Sequence, residues 1–497
     1  VNKLKIINYL KQQKSHIKNM APTTNLIKVS YTAPPSVISG HLKSGYHTLQ
    51  NLAKRFAAFI LILFSACLLS FTAQAQQATG NSSSAYASVY PKPGDPSTPS
   101  SIDSGKTVQP AVLDTAWKPV RRLWGYTFGD FYYDAHADAA NRGPETNYYN
   151  VPTYRNAFQF RRIYLGYDYD INRKFSAEIL LSAEPAASTA VSGTTTISSS
   201  DNLADNKMAF FIKLADVRWK NVWTGSDFLV GESLTPLTVM LTEQIWGYRS
   251  VEKTIADFHR SNLYDVGASL QGKFDPATKN FGYDLMIGDN TQAALLSAAN
   301  ANTGFYKIFY GDVYAKLLNK RLIFDLYADY TKTAPATALI GAQSHNMVKG
   351  FAAWTTPKIT FGVEAYTQQI TNGVTASNGT TKVAENATVN AISLYSHGAI
   401  YQDKLGFFAR YDGYNPDANF NDANVYTANT NLAAYNPNYK EHFVTAGFDY
   451  SPDKNVHFMP NLWLIQYVDQ IAPGTTGYVP NNHTLVYRFT FFYTFGK

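Results

Sequence analysis

From about residue 121 to the C-terminus, apolar and polar residues alternate in segments of about ten to fourteen residues, the period of a β-strand with two different faces. The last segment shows it best. Leu485, Tyr487, Phe489, Phe491, Tyr493 and Phe495 share one face, and Val486, Arg488, Thr490, Phe492 and Thr494 share the other. Leu322, Phe324, Leu326, Ala328 and Tyr330 likewise oppose Ile323, Asp325, Tyr327 and Asp329, and Tyr264, Val266, Ala268 and Leu270 oppose Asp265, Gly267, Ser269 and Gln271. The pattern predicts strands near 123–134, 158–169, 174–184, 208–220, 227–238, 264–274, 280–289, 306–317, 321–332, 345–355, 358–370, 389–401, 404–413, 442–451, 456–468 and 483–495. Short connections (170–174, 318–320, 356–357, 402–403, 451–455) alternate with long ones rich in Asn, Thr, Gly and Ser (185–207, 290–305, 371–388, 414–441). Strands long enough to cross a bilayer when tilted, joined alternately by short turns and long loops, predict an all-β fold: a transmembrane antiparallel β-barrel of about sixteen strands over 121–497. A secreted β-sandwich would need turns every ~8–12 residues, and a β-helix a fixed repeat; neither pattern is present.

Composition agrees. Aromatics make up 14% of the chain and charged residues 16%, too polar for a bundle of membrane helices and rich in strand formers. One apolar run, 56–71, follows Lys54 and Arg55 and precedes Ala73-Gln74-Ala75, the layout of a secretory signal cleaved after Ala75; residues 1–75 are therefore expected to be a leader. Cys67, the only cysteine, lies inside that run, so the processed chain is expected to have no disulfide or thiolate chemistry. Residues 76–120, rich in Ser, Pro, Gly and Thr, are expected to form a disordered periplasmic tether. Nine of the 43 Lys and Arg, and none of the 36 Asp and Glu, fall in 1–75, which leaves 34 basic against 36 acidic groups. The formal charge of +7 is thus a property of the leader and gives no argument for a nucleic-acid partner.

No HExxH or GxSxG motif occurs, and the histidines have no ligand spacing, so neither an enzyme nor a metal or cofactor is expected. Gly267–Lys273 is close to a P-loop, but Phe274 stands where a magnesium-binding hydroxyl belongs. Charges concentrate instead on the face opposite the lipid stripe. Arg162, Asp216, Arg218, Lys220, Lys316, Asp325, Asp329, Arg410 and Arg488 all fall there and are expected to line a polar lumen, since charge is costly against lipid. The connection 240–263 is unusual because it mixes Trp246, Tyr248, Ile255 and Phe258 with Glu243, Arg249, Glu252 and Lys253. A solvent-exposed loop has little reason to carry so many large apolar groups. It is expected to fold inward and constrict the barrel, with an ordered external lid as the alternative.

The stretch FLVGESLTPLTVMLTEQIWGYRSVEKT, with Val230-Gly231, Pro236, Arg249-Ser250 and Glu252, resembles a strand and the third loop of the phosphate-selective porin O and P family. RRIYLGYDYDINRKFSAEILL, with Arg161-Arg162, resembles that family's early hairpin. The resemblance implies a sixteen-stranded outer-membrane porin of a Gram-negative type envelope, a homotrimer with its third loop in the channel. It implies passive diffusion of small hydrophilic solutes or ions, including anions such as phosphate. Its partners would be those solutes, outer-membrane lipid and the barrel assembly machinery. The rival expectations are an adhesin or structural barrel with a closed lumen, and a barrel hydrolase.

Overall fold

A computed structural model of the protein describes residues 119–142, 148, 151–184, 190–192, 195–197, 210–239, 241–259, 263–289, 307–333, 340–429 and 435–496. The expected leader, and all of the expected tether but its last two residues, lie outside these. Sixteen long strands follow in chain order. They are β1 (Arg121–His136), β2 (Asn156–Asp170), β3 (Phe175–Ala183), β4 (Phe211–Trp223), β5 (Ser226–Leu234), β6 (Tyr264–Lys273), β7 (Phe281–Gly288) and β8 (Ile308–Leu317). Then come β9 (Leu322–Thr333), β10 (Gln343–Thr355), β11 (Ile359–Ser377), β12 (Lys382–Tyr401), β13 (Leu405–Asn415), β14 (Tyr439–Asp453), β15 (Val456–Asp469) and β16 (Asn482–Phe495). Each pairs antiparallel with its sequence neighbours, and β1 also pairs with β16 in the register Gly125 to Phe495 and Tyr132 to Arg488. The sheet therefore closes on itself and has no free edge, the condition for a sheet to cross a membrane.

All sixteen expected strands are present; most ends move by no more than about three residues, and two differences are larger. The fifth stops at Leu234, not 238, because Pro236 starts a short helix. The connection expected at 371–388 is not an open loop. After an irregularity between Ile370 and Val374, β11 and β12 stay paired to the tip, where Ser377 faces Lys382. Asn, Thr and Gly mask an alternation that persists there in Ile370, Val374, Ala387 and Val389, all buried. A short strand at Val425–Ala428, within the long connection after β13, adds to this hairpin opposite Val374–Ser377.

The outward faces carry the apolar stripes read from the sequence, and Leu123, Phe324, Leu326, Val348 and Tyr487 stand exposed on them. Exposed aromatics gather at both strand ends. Trp219, Trp223, Phe274, Phe281, Tyr401, Tyr450 and Tyr493 lie toward the short turns, and Tyr133, Phe158, Phe309, Tyr330 and Tyr411 toward the long loops. Two aromatic girdles flanking an apolar band mark the two membrane interfaces. Among the described residues no helix is long and apolar enough to cross a membrane; the strands do so. Leu326→Arg, in the middle of β9, is expected to destabilise the barrel by about 2–4 kcal/mol, whereas Leu318→Arg at a turn costs under about 1 kcal/mol. Urea unfolding in lipid vesicles measures both, and equal effects would mean that the apolar band does not face lipid.

Candidate functional site

The third loop, 235–263, leaves β5 and returns to β6 inside the barrel. Its chain forms α1 (Pro236–Val239), α2 (Thr242–Trp246) and α3 (Ile255–Phe258). Gly247 ends α2 with φ of +73°, a left-handed conformation that glycine adopts without strain, and its N–H donates to Glu243 O at 3.0 Å. The chain then reverses, with the Val251 and Glu252 N–H groups donating to Tyr248 O at 2.8 and 3.0 Å.

The apolar residues of the loop explain its inward course. Leu241, Trp246, Tyr248 and Val251 join a buried cluster with Trp124, Tyr126, Phe128, Tyr164, Tyr395 and Phe408 of the wall. Leu237, Ile255 and Ala256 join a second cluster, and Phe258 a third with Phe443 and Trp463. Trp246 is fully buried, 5.1 Å from the Tyr395 ring, with the Arg410 guanidinium 5.4 Å from its own ring.

Wall cations hold the loop by its backbone. Arg161 Nη1 donates to the carbonyls of Ser250 and Val251 at 3.0 and 2.9 Å, and Arg488 Nη2 donates to Val251 O at 2.9 Å. Lys349 Nζ donates to Leu237 O and Thr242 Oγ1, both at 2.9 Å, and Arg410 Nη1 donates to Lys253 O. Behind each cation stands a wall carboxylate: Asp130 behind both Arg161 and Arg488, Asp325 behind Lys349 at 3.6 Å, and Asp412 behind Arg410.

Arg161 was not among the expected lumenal residues, because strict alternation places Arg162 inward and Arg161 toward lipid. A β-bulge in β2 changes this. Phe128 pairs with Arg162 but Gly129 with Phe160, so Arg161 is the extra residue and both arginines face the lumen. β4 does the same: Leu180 pairs with Leu214 but Leu181 with Ile212, and Lys213 becomes the extra, inward residue. Its ammonium bonds Glu184 and lies 4.8 Å from the Tyr264 ring. Tyr264, read from the sequence as lipid-facing, packs instead against the lumenal cluster.

The expected lumenal residues divide into two groups. Arg410 and Arg488 fasten the loop, and Asp325 backs Lys349, which does the same. The others face the lumen in local pairs: Arg218 with Asp227 at 3.0 Å and Gln271 at 3.2 Å, Lys220 with Asp170, Lys316 over the Tyr314 ring, and Asp329 with the Tyr327 hydroxyl at 2.6 Å. Asp216 is buried directly across from Glu178. In the loop, Trp246 and Glu252 are anchors: Trp463 Nε1 donates to Glu252 Oε2 at 3.2 Å, and Arg161 lies 3.6 Å from it. Burial pushes the Glu252 carboxyl up, but Arg161, Lys253 and Arg488 more than offset this and hold it below the usual range. Arg249 lies 3.3 Å from Glu243 and bonds Asp257.

Between the loop and the β2–β4 wall the side chains are less enclosed. Arg162 and Glu184 retain 15% and 18% of their side-chain exposure at 3.3 Å separation, and Glu243 across from them 13%. Lys253 is half-buried, and among the described residues its ammonium forms neither an ion pair nor a hydrogen bond. No three His, Cys, Asp or Glu among the described residues converge to hold a metal.

No protein-family model matches the chain, and no curated protein matches it. Solved structures do. An anion-selective porin from Comamonas acidovorans is 14% identical, with a TM-score of 0.49 over 76% of this chain and 100% of that one. The outer-membrane channel DcaP of Acinetobacter baumannii is 12% identical, with a TM-score of 0.49 over 76% and 97%. OprB of Pseudomonas putida is 9% identical, with a TM-score of 0.46 over 76% and 94%. The protein is an outer-membrane β-barrel. Its closure, apolar exterior and aromatic girdles carry that conclusion on their own.

His259 supplies a test of how the barrel holds its loop. Its ring stacks on Tyr414 with centroids 3.5 Å apart. Burial, then Arg410 and Lys253, push its pKa down to about 3, overriding Glu441, which lies 3.7 Å from Nε2 and favours the charged form. Below about pH 6.5 a released loop takes up a proton that the docked loop refuses until about pH 3. Docking is therefore at full strength above pH 6.5 and weakens as the pH falls toward 3. Hydrogen exchange over 241–259, corrected for intrinsic rates, should speed up between pH 7.5 and 5. His259→Phe, which keeps the stack but cannot titrate, should abolish the difference; an unchanged difference would assign the effect to another group.

Proposed function

We propose that the protein is a diffusion channel for small hydrophilic solutes and ions. In this reading Arg162, Arg218, Lys220, Lys316, Asp216 and Asp329 line the pore, while Glu243, Arg249 and Lys253 set its narrowest part. A barrel of sixteen strands is wide enough for an aqueous path, and a loop folded against one side narrows that path to the opposite wall. The observation that carries the reading is the layout at that wall. Arg162 and Lys213 of the wall lie near Arg249 and Lys253 of the loop, and the Lys253 ammonium is uncommitted among the described residues. Burial draws Lys253 below its ordinary value, with Asp257 opposing. A passing anion would therefore stabilise its charged form, which favours small anions, phosphate among them. The resemblance to the phosphate-selective porins points the same way, and a homotrimer belongs to this reading.

The second reading, a structural or adhesive barrel with a closed lumen, is favoured by the fully buried Trp246 cluster that joins the loop to the wall. Planar-bilayer recordings separate the two, since a purified barrel that stays silent across a range of salts would sink the channel. If it conducts, Lys253→Gln should shift the reversal potential in a salt gradient toward cation preference. Glu252→Gln, an anchor position, should alter conductance more than selectivity. Unchanged selectivity in Lys253→Gln would remove that residue from the path.

A further inference from the structure

The two guanidiniums that hold the middle of the loop share a counter-ion on the wall, Asp130, while Glu252 of the loop lies 3.6 Å from Arg161. Asp130 faces the lumen from the centre of β1 and is fully buried. It lies 3.9 Å from Arg161 and 3.9 Å from Arg488, whose side chains are 6% and 0% exposed. Its shorter bonds are to neutral groups: Gln159 Nε2 donates to Oδ1 at 2.7 Å, and the Tyr148 hydroxyl donates to Oδ2 at 3.4 Å. A carboxylate that merely neutralised one arginine would take it in a two-pronged bond, as Asp412 takes Arg410. Here the carboxylate stands between two arginines, and Arg161 Nη1 and Arg488 Nη2 donate forward to Ser250 and Val251. Without it, two buried cations would depend on Glu252, on the loop they hold, to offset their mutual repulsion, and the wall would lose the carboxylate that fixes where they stand.

We propose that Asp130 is a positioning residue for the third loop: acting through Arg161 and Arg488, it fixes 249–253 across the lumen and so sets where Arg249 and Lys253 stand. The consequence for permeation rests on the channel reading, but the positioning itself does not. Sequence alone gives no sign of this role, because Asp130 has the appearance of one more inward carboxylate.

The chain's only cysteine is Cys67, so a cysteine placed in the barrel gives a clean probe once the leader is removed. Ser250, in the loop at its anchor, is fully buried. Ser250→Cys in otherwise unaltered protein should react slowly with a small thiol reagent. Adding Asp130→Asn should speed the reaction at least tenfold while the barrel keeps its heat-modifiable mobility on gels, and Asp130→Glu should remain near the slow rate. In an Arg161→Met/Arg488→Met background the probe should already react fast, and Asp130→Asn should add nothing. A folded Asp130→Asn barrel that reacts at the slow rate overturns the proposal, as does a further acceleration in the double-Met background. If Asp130→Asn does not fold, Arg161→Lys and Arg488→Lys carry the test. Each keeps the charge beside Asp130 but cannot bridge carboxylate to carbonyl, so labelling must rise in both, and a slow rate in either overturns the proposal. Labelling needs no conduction, so a silent barrel with these rates refutes the channel alone, and a conducting barrel with unchanged rates refutes the positioning role alone.

Discussion

The interior depends on one repeated interaction: a wall cation, backed by a wall carboxylate, donates to a backbone carbonyl of the third loop. A chain that leaves the sheet and crosses a barrel has no ladder to satisfy its carbonyls, and buried backbone groups without partners are costly. Here the wall supplies the donors. Arg161 and Arg488 bind at Ser250 and Val251, Lys349 at Leu237, and Arg410 at Lys253. Hydrogen bonds from charged donors are worth about 1.5–3 kcal/mol each, more than neutral ones. Their value depends on the donors being held still, which the carboxylates behind them do. The apolar clusters of the loop add the non-directional part of the attraction; the cations set the register.

Getting those cations into the lumen requires departures from regular strand geometry. Strict alternation gives one inward residue in every two, and two neighbouring residues cannot both face inward. The bulge in β2 removes that limit at Arg161-Arg162, so that one arginine serves the loop and the next faces Glu184 across the open side. The bulge in β4 turns Lys213 to the same Glu184. In both strands the unpaired extra residue is a cation near the loop. Each bulge thus converts a position that alternation assigns to lipid, where a charge is costly, into a lumenal one where it has a partner.

This explains what could be read from the sequence. The sixteen strands were legible because period two is a property of the sequence itself, and the loop's inward course because Trp246, Tyr248, Ile255 and Phe258 have no place in solvent. Arg161 and Lys213 were not legible as lumenal, because a bulge is decided by pairing with a neighbouring strand and leaves every residue type unchanged. The paired continuation of β11 and β12 through 371–388 was hidden for another reason: its exposed positions carry the Asn, Thr and Gly that mark loops elsewhere, while its inward positions keep the strand pattern. Trp246 and Glu252 were expected at the constriction by their place in the loop, yet they anchor it, and only the distances to Tyr395, Trp463 and Arg161 tell the two roles apart.

Anchoring through carbonyls separates two demands that would otherwise compete. Where a loop is held by its own side chains, changing one to alter the pore also loosens the hold. In this barrel most of the polar hold comes from wall residues acting on atoms that every residue type possesses, so Glu243 and Lys253 keep side chains that the anchors do not consume. The wall bears the cost. Asp312 lies directly across from Asp284 in register, two carboxyl groups on neighbouring strands that cannot both be charged without cost, and Asp312, Asp325 and Glu364 gather around the ammonium of Lys349. That ammonium also reaches Leu237 and Thr242. The acidic groups that crowd one another in the wall are thus the ones gathered around the ammonium that holds the stem of the loop, so the crowding of carboxyl groups and the fixed position of the loop come from the same residues.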